Sequence, residues 1–243
     1  MRIRQHPLLL PPGGPLIFPD PRAADTEGLV AVGGDLSVER LLLAYEKGIF
    51  PWYDTGLPPL WWSPDPRALL DTASLRISRS MRRVLRNGGF RLTLNTAFER
   101  VMRSCGLERE GGTWILPEMV DAYTRLHRLG HAHSFEVWYG DELSGGLYGV
   151  QRGGLFAAES MFHRRANASK VALIASVISA FRGGIELYDV QFSTPHLASM
   201  GAYTLARDGY LRRLARATRV AVELSEVLQG PELASHQAEK RAD

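Results

Sequence analysis

The chain has a single cysteine, Cys105, among its 243 residues. That excludes an internal disulfide framework and a zinc site built from several thiolates. Lysine is almost as scarce: of the 29 basic residues, 26 are arginine. No apolar run approaches the length of a membrane span. The opening stretch "MRIRQHPLLLPPGGP" has too short an apolar core for a signal peptide and no small-residue cleavage site, so the cytosol is the expected compartment. Walker and Rossmann glycine patterns are also missing. What remains is ordinary for a soluble globular chain, at 45% hydrophobic and 23% charged, with a net charge of only +3. Arginine's planar fork suits phosphate recognition. GC-rich coding would give the same excess, so placement has to decide.

The first third of the chain differs from the rest. Prolines crowd "LPPGGPLIFPDP" and "FPWYDTGLPPLWWSPDPR", with one clear helix, "VERLLLAYEK", capped by Asp35 or Ser37 and stopped at Gly48. Residues 1–66 are therefore expected to form a small N-terminal α/β domain, 67–230 the main domain, and 231–243 a frayed tail. In "ISRSMRRVLRN", Arg79, Arg82, Arg83 and Arg86 recur at i, i+3, i+4 and i+7 and share one helical face. Between positions 76 and 109 there are nine arginines and two acids. Such a stripe is either a solvated face or, because like charges without acidic partners repel, a face for a polyanion. Further on, "LPEMVDAYTRLHRL" reads as a helix, and "SFEVWY", "LSGGLYGV" and "LFAAESMF" as a three-stranded meander. The helix "ASKVALIASVISAF", the strand "IELYDVQ", the helix "RDGYLRRLARAT" and a last strand "VAVEL" follow. Strands first, then one crossover helix, imply an α+β chain with a mixed sheet flanked by helices. That order resembles the acyltransferase (GNAT-like) fold.

Two otherwise apolar strands carry polar groups at their centres: Glu159 in "LFAAESMFH", and Asp189 with Gln191 in "IELYDVQF". A buried carboxylate is costly unless paired or used. Strand alternation puts Leu155, Ala157, Glu159 and Met161 on one side, and Asp189 with Gln191 on one face. Leu147, flanked by Gly145 and Gly149, leaves volume for a ligand or a facing helix. Either Glu159 pairs with a structural arginine and Asp189 caps a turn, or the three groups ring a partly apolar cavity lined by Leu147 and Met161. His127, His131 and His133 have metal-like spacing, but Gly130 interrupts it and no acid or thiol adjoins, so packing is expected and no metal. Ser160 and His163 lack a G-x-S-x-G context. "RRANA" at 164–168 opens a helix after a strand, as the R-x-x-G-x-G/A turn of CoA-dependent acyltransferases does, with Asn167 in place of glycine.

The stretches "GGDLSVERLLLAYEKGIFPW", "WWSPDPR", "GGTW", "AYTRLHRLGHAHSFEVW", "GGLYGV", "ESMFHRRANASKVAL" and "YDVQFSTPHLASMGA" together resemble the leucyl/phenylalanyl-tRNA–protein transferase family, from about Phe18 to Arg207. The resemblance implies a bacterial cytosolic enzyme, a small N-terminal domain on an acyltransferase-like domain, and no cofactor. It implies transfer of leucine or phenylalanine, and methionine less well, from aminoacyl-tRNA to proteins beginning with arginine or lysine. The product is a destabilising N-terminus read by the degradation machinery, and a monomer suffices. By the same resemblance Trp52 and Trp114 hold the 3′-terminal adenosine, and Leu147 and Met161 receive the transferred side chain. Asp189 and Gln191 serve the transfer step, and Glu159 lies near the acceptor. Chemically, Asp189 would polarise Gln191, Gln191 would hold the proton of the attacking amine, and Glu159 would meet the acceptor's cationic end. The rivals are a CoA-dependent N-acetyltransferase and a non-catalytic RNA-binding protein using the stripe of Arg79, Arg82, Arg83 and Arg86.

Overall fold

The computed structural model describes residues 7–107 and 113–236. Its first elements make a four-stranded sheet: β1 (Leu8–Leu10), β2 (Leu29–Gly33), β3 (Phe50–Pro51) and β4 (Leu60–Trp62), in the order β1-β2-β4-β3. Helix α1 (Val38–Glu46) is set between β2 and β3 and is N-capped by Ser37. The other elements are β5 (Arg67–Leu70), α2 (Arg79–Asn87), β6 (Phe90–Leu94), α3 (Phe98–Leu107), α4 (Pro117–Arg128), β7 (Ala132–Tyr139), β8 (Glu142–Arg152) and β9 (Leu155–His163). Helix α5 (Ala168–Arg182), β10 (Leu187–Gln191), α6 (Pro195–Ser199), β11 (Tyr203–Leu205), α7 (Arg207–Ala217) and α8 (Gly230–Ser235) complete the described chain.

Seven strands form the second sheet, in the order β11-β5-β10-β9-β8-β7-β6. The meander β7-β8-β9 is antiparallel, and β10 joins β9 in parallel after the α5 crossover. This is the expected α+β arrangement, a mixed sheet flanked by helices. One face packs against α1, α3, α4 and α7 through Leu41, Phe98, Tyr123 and Tyr210. The other is covered by α5, α2 and α8, with Leu173, Leu85 and Leu233 among its buried residues. Helix α5 carries apolar residues almost all round, as a helix buried against a sheet should. At Gly145 a Cβ would stand 2.6 Å from the Cβ of Ala168, so this glycine admits α5 rather than a ligand.

Three expectations are corrected. "VAVEL" (220–224) is not a strand. The carbonyl of Val222 accepts the side-chain amide of Gln151 at 2.7 Å, and Leu224 is buried under α5, so its alternation reflects packing without a ladder. The tail is ordered as far as α8: Gln229 and Glu232 form a capping box, and Leu233 and Ala234 are buried. The rest of that predicted tail, 237–243, and residues 1–6 lie outside the described residues. The arginine stripe is also split. Arg79, Arg83 and Arg86 are exposed with no carboxylate partner among the described residues. Arg82 instead donates to the carbonyls of Ala234 (2.6 Å) and His236 (2.7 Å), closing the end of α8.

Candidate active site

Two irregularities in the large sheet build the site. In the β8–β9 ladder Tyr148 pairs with Ser160 and Gly149 with Ala158, which leaves Glu159 as the extra residue of a bulge. In the β5–β10 ladder Leu69 pairs with Asp189 and Ala68 with Gln191, which leaves Val190 extra. Gln191 takes φ +59, a left-handed value that a bulge tolerates. The last parallel pair between β9 and β10 is Ala157 with Asp189. Beyond it the strands part, each at its bulge, and a cavity of about 470 Å³ opens between them.

The cavity gathers six of the seven residues proposed from sequence for catalysis and the aminoacyl end: Trp52, Trp114, Leu147, Met161, Glu159 and Gln191. Leu147 and Met161 face each other across the β8–β9 ladder. Because of the bulge, Met161 does not share a side with Leu155 and Ala157, as simple alternation predicted. Those two belong to the core on the α1 side, while Met161 packs toward α5. Phe50 and Phe192 were missed by the sequence reading. They line the same cavity and, with Trp52, make an aromatic group with ring centroids 5.6 and 5.8 Å from that of Phe192.

Asp189 is the seventh residue, and it is not on the cavity wall. It is fully buried and held by Arg67, whose Nε lies 2.9 and 3.1 Å from its two oxygens and whose Nη2 lies 2.7 Å from Oδ2. The Tyr210 hydroxyl donates to Oδ2 at 2.8 Å, and the backbone N–H of Gln191 donates to Oδ1 at 2.9 Å. Arg67 also donates to the carbonyl of Gly48 at 3.1 Å and sits over the rings of Phe50 and Tyr210. Burial disfavours the guanidinium charge, yet Asp189, Tyr210 and Glu159 together outweigh it and raise the Arg67 pKa. Asp189 therefore has its charge matched at all times. It meets Gln191 through the main chain, so the expected polarisation of the Gln191 side chain is corrected. The clue was legible in "PDPRALL", where Arg67 opens an apolar strand.

Glu159 is different. Its Oε1 accepts the Gln191 side-chain amide at 2.6 Å, across the gap between the parted strands. Burial pushes its carboxyl up to about 8; the Tyr45 and Gln191 hydrogen bonds and the Arg67 charge work against that rise, and the Asp189 charge adds to it. Tyr45, on α1, is itself hydrogen-bonded to Tyr123 on α4 at 2.6 Å. Among the described residues no cation forms an ion pair with Glu159; the charge of Arg67, which is bound to Asp189, reaches it only in part. Glu136 shows what a purely structural buried acid looks like here. It accepts from Thr93, Thr96, Ser134 and the backbone of Ala97.

The other sequence candidates resolve locally. His127 stacks on Phe98 with centroids 4.4 Å apart, and His133, pushed down to about 4 mainly by burial, contacts Asn95. In the 164–168 turn, Asn167 takes φ +71 as the N-cap of α5. The amides of Arg164 and Arg165 both point to the Ser144 carbonyl, and that of Ala168 to Arg165.

Residues 69–215 match the family described as leucyl/phenylalanyl-tRNA protein transferase, and 34–65 match the N-terminal domain of the same family. A leucyl/phenylalanyl-tRNA–protein transferase of Anaeromyxobacter sp. (strain K) is 57% identical over 82% of this chain and 87% of its own length. The one of Syntrophobacter fumaroxidans (strain DSM 10017 / MPOB) is 53% identical over 88% and 91%. That of Escherichia coli O1:K1 / APEC is 53% identical over 82% and 86%. Among solved structures, an aminoglycoside acetyltransferase from an uncultured soil metagenomic sample, in complex with sisomicin, is 14% identical with a TM-score of 0.35. It covers 55% of this chain and 89% of that one, a likeness too distant to carry an argument. Matched across both sheets, and with the cavity residues inside the matched spans, the chain belongs to the leucyl/phenylalanyl-tRNA–protein transferase family.

Proposed function

We propose that the chain moves leucine, phenylalanine and, less well, methionine from aminoacyl-tRNA to proteins that begin with arginine or lysine, in the cytosol and as a monomer. The new N-terminus then marks the acceptor for degradation. The observation that carries this reading is Glu159: a buried acid without a matching cation, at the wall of an apolar cavity that Trp52 and Trp114 flank. A cationic acceptor supplies the missing charge. Leu147 and Met161 form the slot for the transferred side chain, with Trp52 and Trp114 against the terminal adenosine. Residues 1–66 act as the small domain that brings Phe50 and Trp52 to the cavity.

The chemistry is aminolysis of an ester. The attacking nitrogen bonds to the ester carbon, the bond from that carbon to the ribose 3′-oxygen breaks, and the proton lost by nitrogen ends on that oxygen. An α-amine with a pKa near ~8 is partly neutral already, so positioning supplies most of the acceleration. Gln191 spends its amide on Glu159, which leaves its carbonyl oxygen to hold the N–H of the amine. Asp189 acts at one remove, fixing the main chain of Gln191. Glu159 ionises as the cationic side chain of the acceptor binds. Arg79, Arg83 and Arg86 track the tRNA phosphates, whereas Arg82 serves mainly to fasten α8.

Three of the five amides of the 164–168 turn, those of Arg164, Arg165 and Ala168, are bonded within the chain, which favours this reading over a CoA-dependent one, since a pyrophosphate draws on such donors. The test is transfer of labelled leucine from leucyl-tRNA to a peptide beginning with arginine, without CoA or added metal. Label at the peptide N-terminus is the expected result. A protein that binds tRNA but transfers nothing would contradict it.

A further inference from the structure

Ser160 follows Glu159 in the β9 bulge and lines the same cavity, and it is only 8% exposed. Its hydroxyl is covered and has no hydrogen-bond partner among the described residues. A buried hydroxyl without a partner is unfavourable, and the fold has an easy remedy in alanine. The other hydroxyl and carboxyl or amide side chains of the wall are each held by a hydrogen bond. Glu159 and Gln191 bind each other, and the Thr194 hydroxyl accepts the Leu197 amide at 3.2 Å as the cap of α6. The reaction, for its part, creates one new acceptor: the ester carbonyl oxygen, which carries negative charge once the amine has added.

Resting on the transfer reaction above, we propose that Ser160 is a catalytic residue that donates its hydroxyl proton in a hydrogen bond to this oxygen. A turn about its Cα–Cβ bond between staggered wells brings the hydroxyl to the cavity when the ester occupies it. The amine adds to the carbonyl carbon and the oxygen takes the electron pair, held by Ser160. Collapse re-forms the carbonyl and expels the 3′-oxygen, which leaves with the proton shed by nitrogen. Ser160 keeps its own proton throughout.

The experiment compares wild type, Ser160→Ala and Ser160→Thr by single-turnover transfer to an arginine-starting peptide, together with thermal unfolding. Ser160→Ala should lose roughly 10²-fold in kcat, the usual effect of removing an oxyanion donor, while both KM values stay close to wild type. Its melting temperature should be equal or higher, because an unpartnered buried hydroxyl has gone. Ser160→Thr, which keeps the hydroxyl, should recover much of the rate. Wild-type kcat in Ser160→Ala would overturn the inference, as would a loss of rate accompanied by a lower melting temperature, which marks a structural hydroxyl. Absence of transfer by the wild type would instead overturn the reaction itself.

Discussion

At the scale of the residue, two acids that look alike in sequence have opposite situations. Asp189 is permanently paired, so its loss should be felt first as stability. Asp189→Asn leaves Arg67 buried without its counter-charge, which should destabilise the fold by about 3–5 kcal/mol, read as a lower denaturant midpoint. An Asp189→Asn protein as stable as wild type would show that Arg67 finds another partner. Glu159 should be felt through pH. Its folded pKa is raised from 4.5 to about 8, so its contribution to stability is fully present below about pH 4.5 and is lost as pH rises through 8. Measured against Glu159→Gln, the wild type should therefore lose a few kcal/mol across that window. A difference that does not change with pH would place the Glu159 pKa in the ordinary range.

At the scale of the element, helix α2 has two jobs that one periodic stripe disguises. Each of Arg79, Arg83 and Arg86 changed to Ala should reduce the salt slope of tRNA binding by about 0.7–0.9, without loss of fold. Arg82→Ala should leave that slope nearly intact and lower stability, because the carbonyls of Ala234 and His236 lose their donor. Equal effects of all four on the slope would mean that Arg82 leaves α8 to bind phosphate. Periodicity can place four arginines on one face, but it cannot show that α8 returns to cover one of them. Much else was legible at this scale: the α1, α4, α5 and α7 helices, the meander and the crossover all follow from hydrophobic period and caps. The bulges were not. An extra residue at Glu159 or Val190 leaves no mark on composition, yet it reverses which side Met161 faces and separates Asp189 from Gln191. The short strands β5 and β11 owe their pairing to β10 and to each other more than to any pattern of their own.

At the scale of the molecule, the cavity exists because the two sheets meet there. The small sheet delivers Phe50 and Trp52, the parted strands deliver Glu159 and Gln191, and Arg67 ties Gly48 to Asp189 across the junction. The site residues were readable mainly through motif resemblance, and their division of labour only from contacts. Among the described residues no helix is long and apolar enough to cross a membrane. The central claim is that Glu159 awaits the positive charge of the acceptor. The direct measurement is the ratio of kcat/KM for a peptide beginning with arginine to that for one beginning with citrulline, its neutral isostere, in wild type and Glu159→Gln, from pH 6 to 9. Both peptides share the pH dependence of the α-amine, so the ratio isolates Glu159. The account predicts a ratio on the order of 10–100 in the wild type, the worth of a charge-assisted hydrogen bond, rising with pH through about 8 and levelling only above it. In Glu159→Gln the ratio should be small and flat. An arginine preference that survives unchanged in Glu159→Gln would contradict the claim.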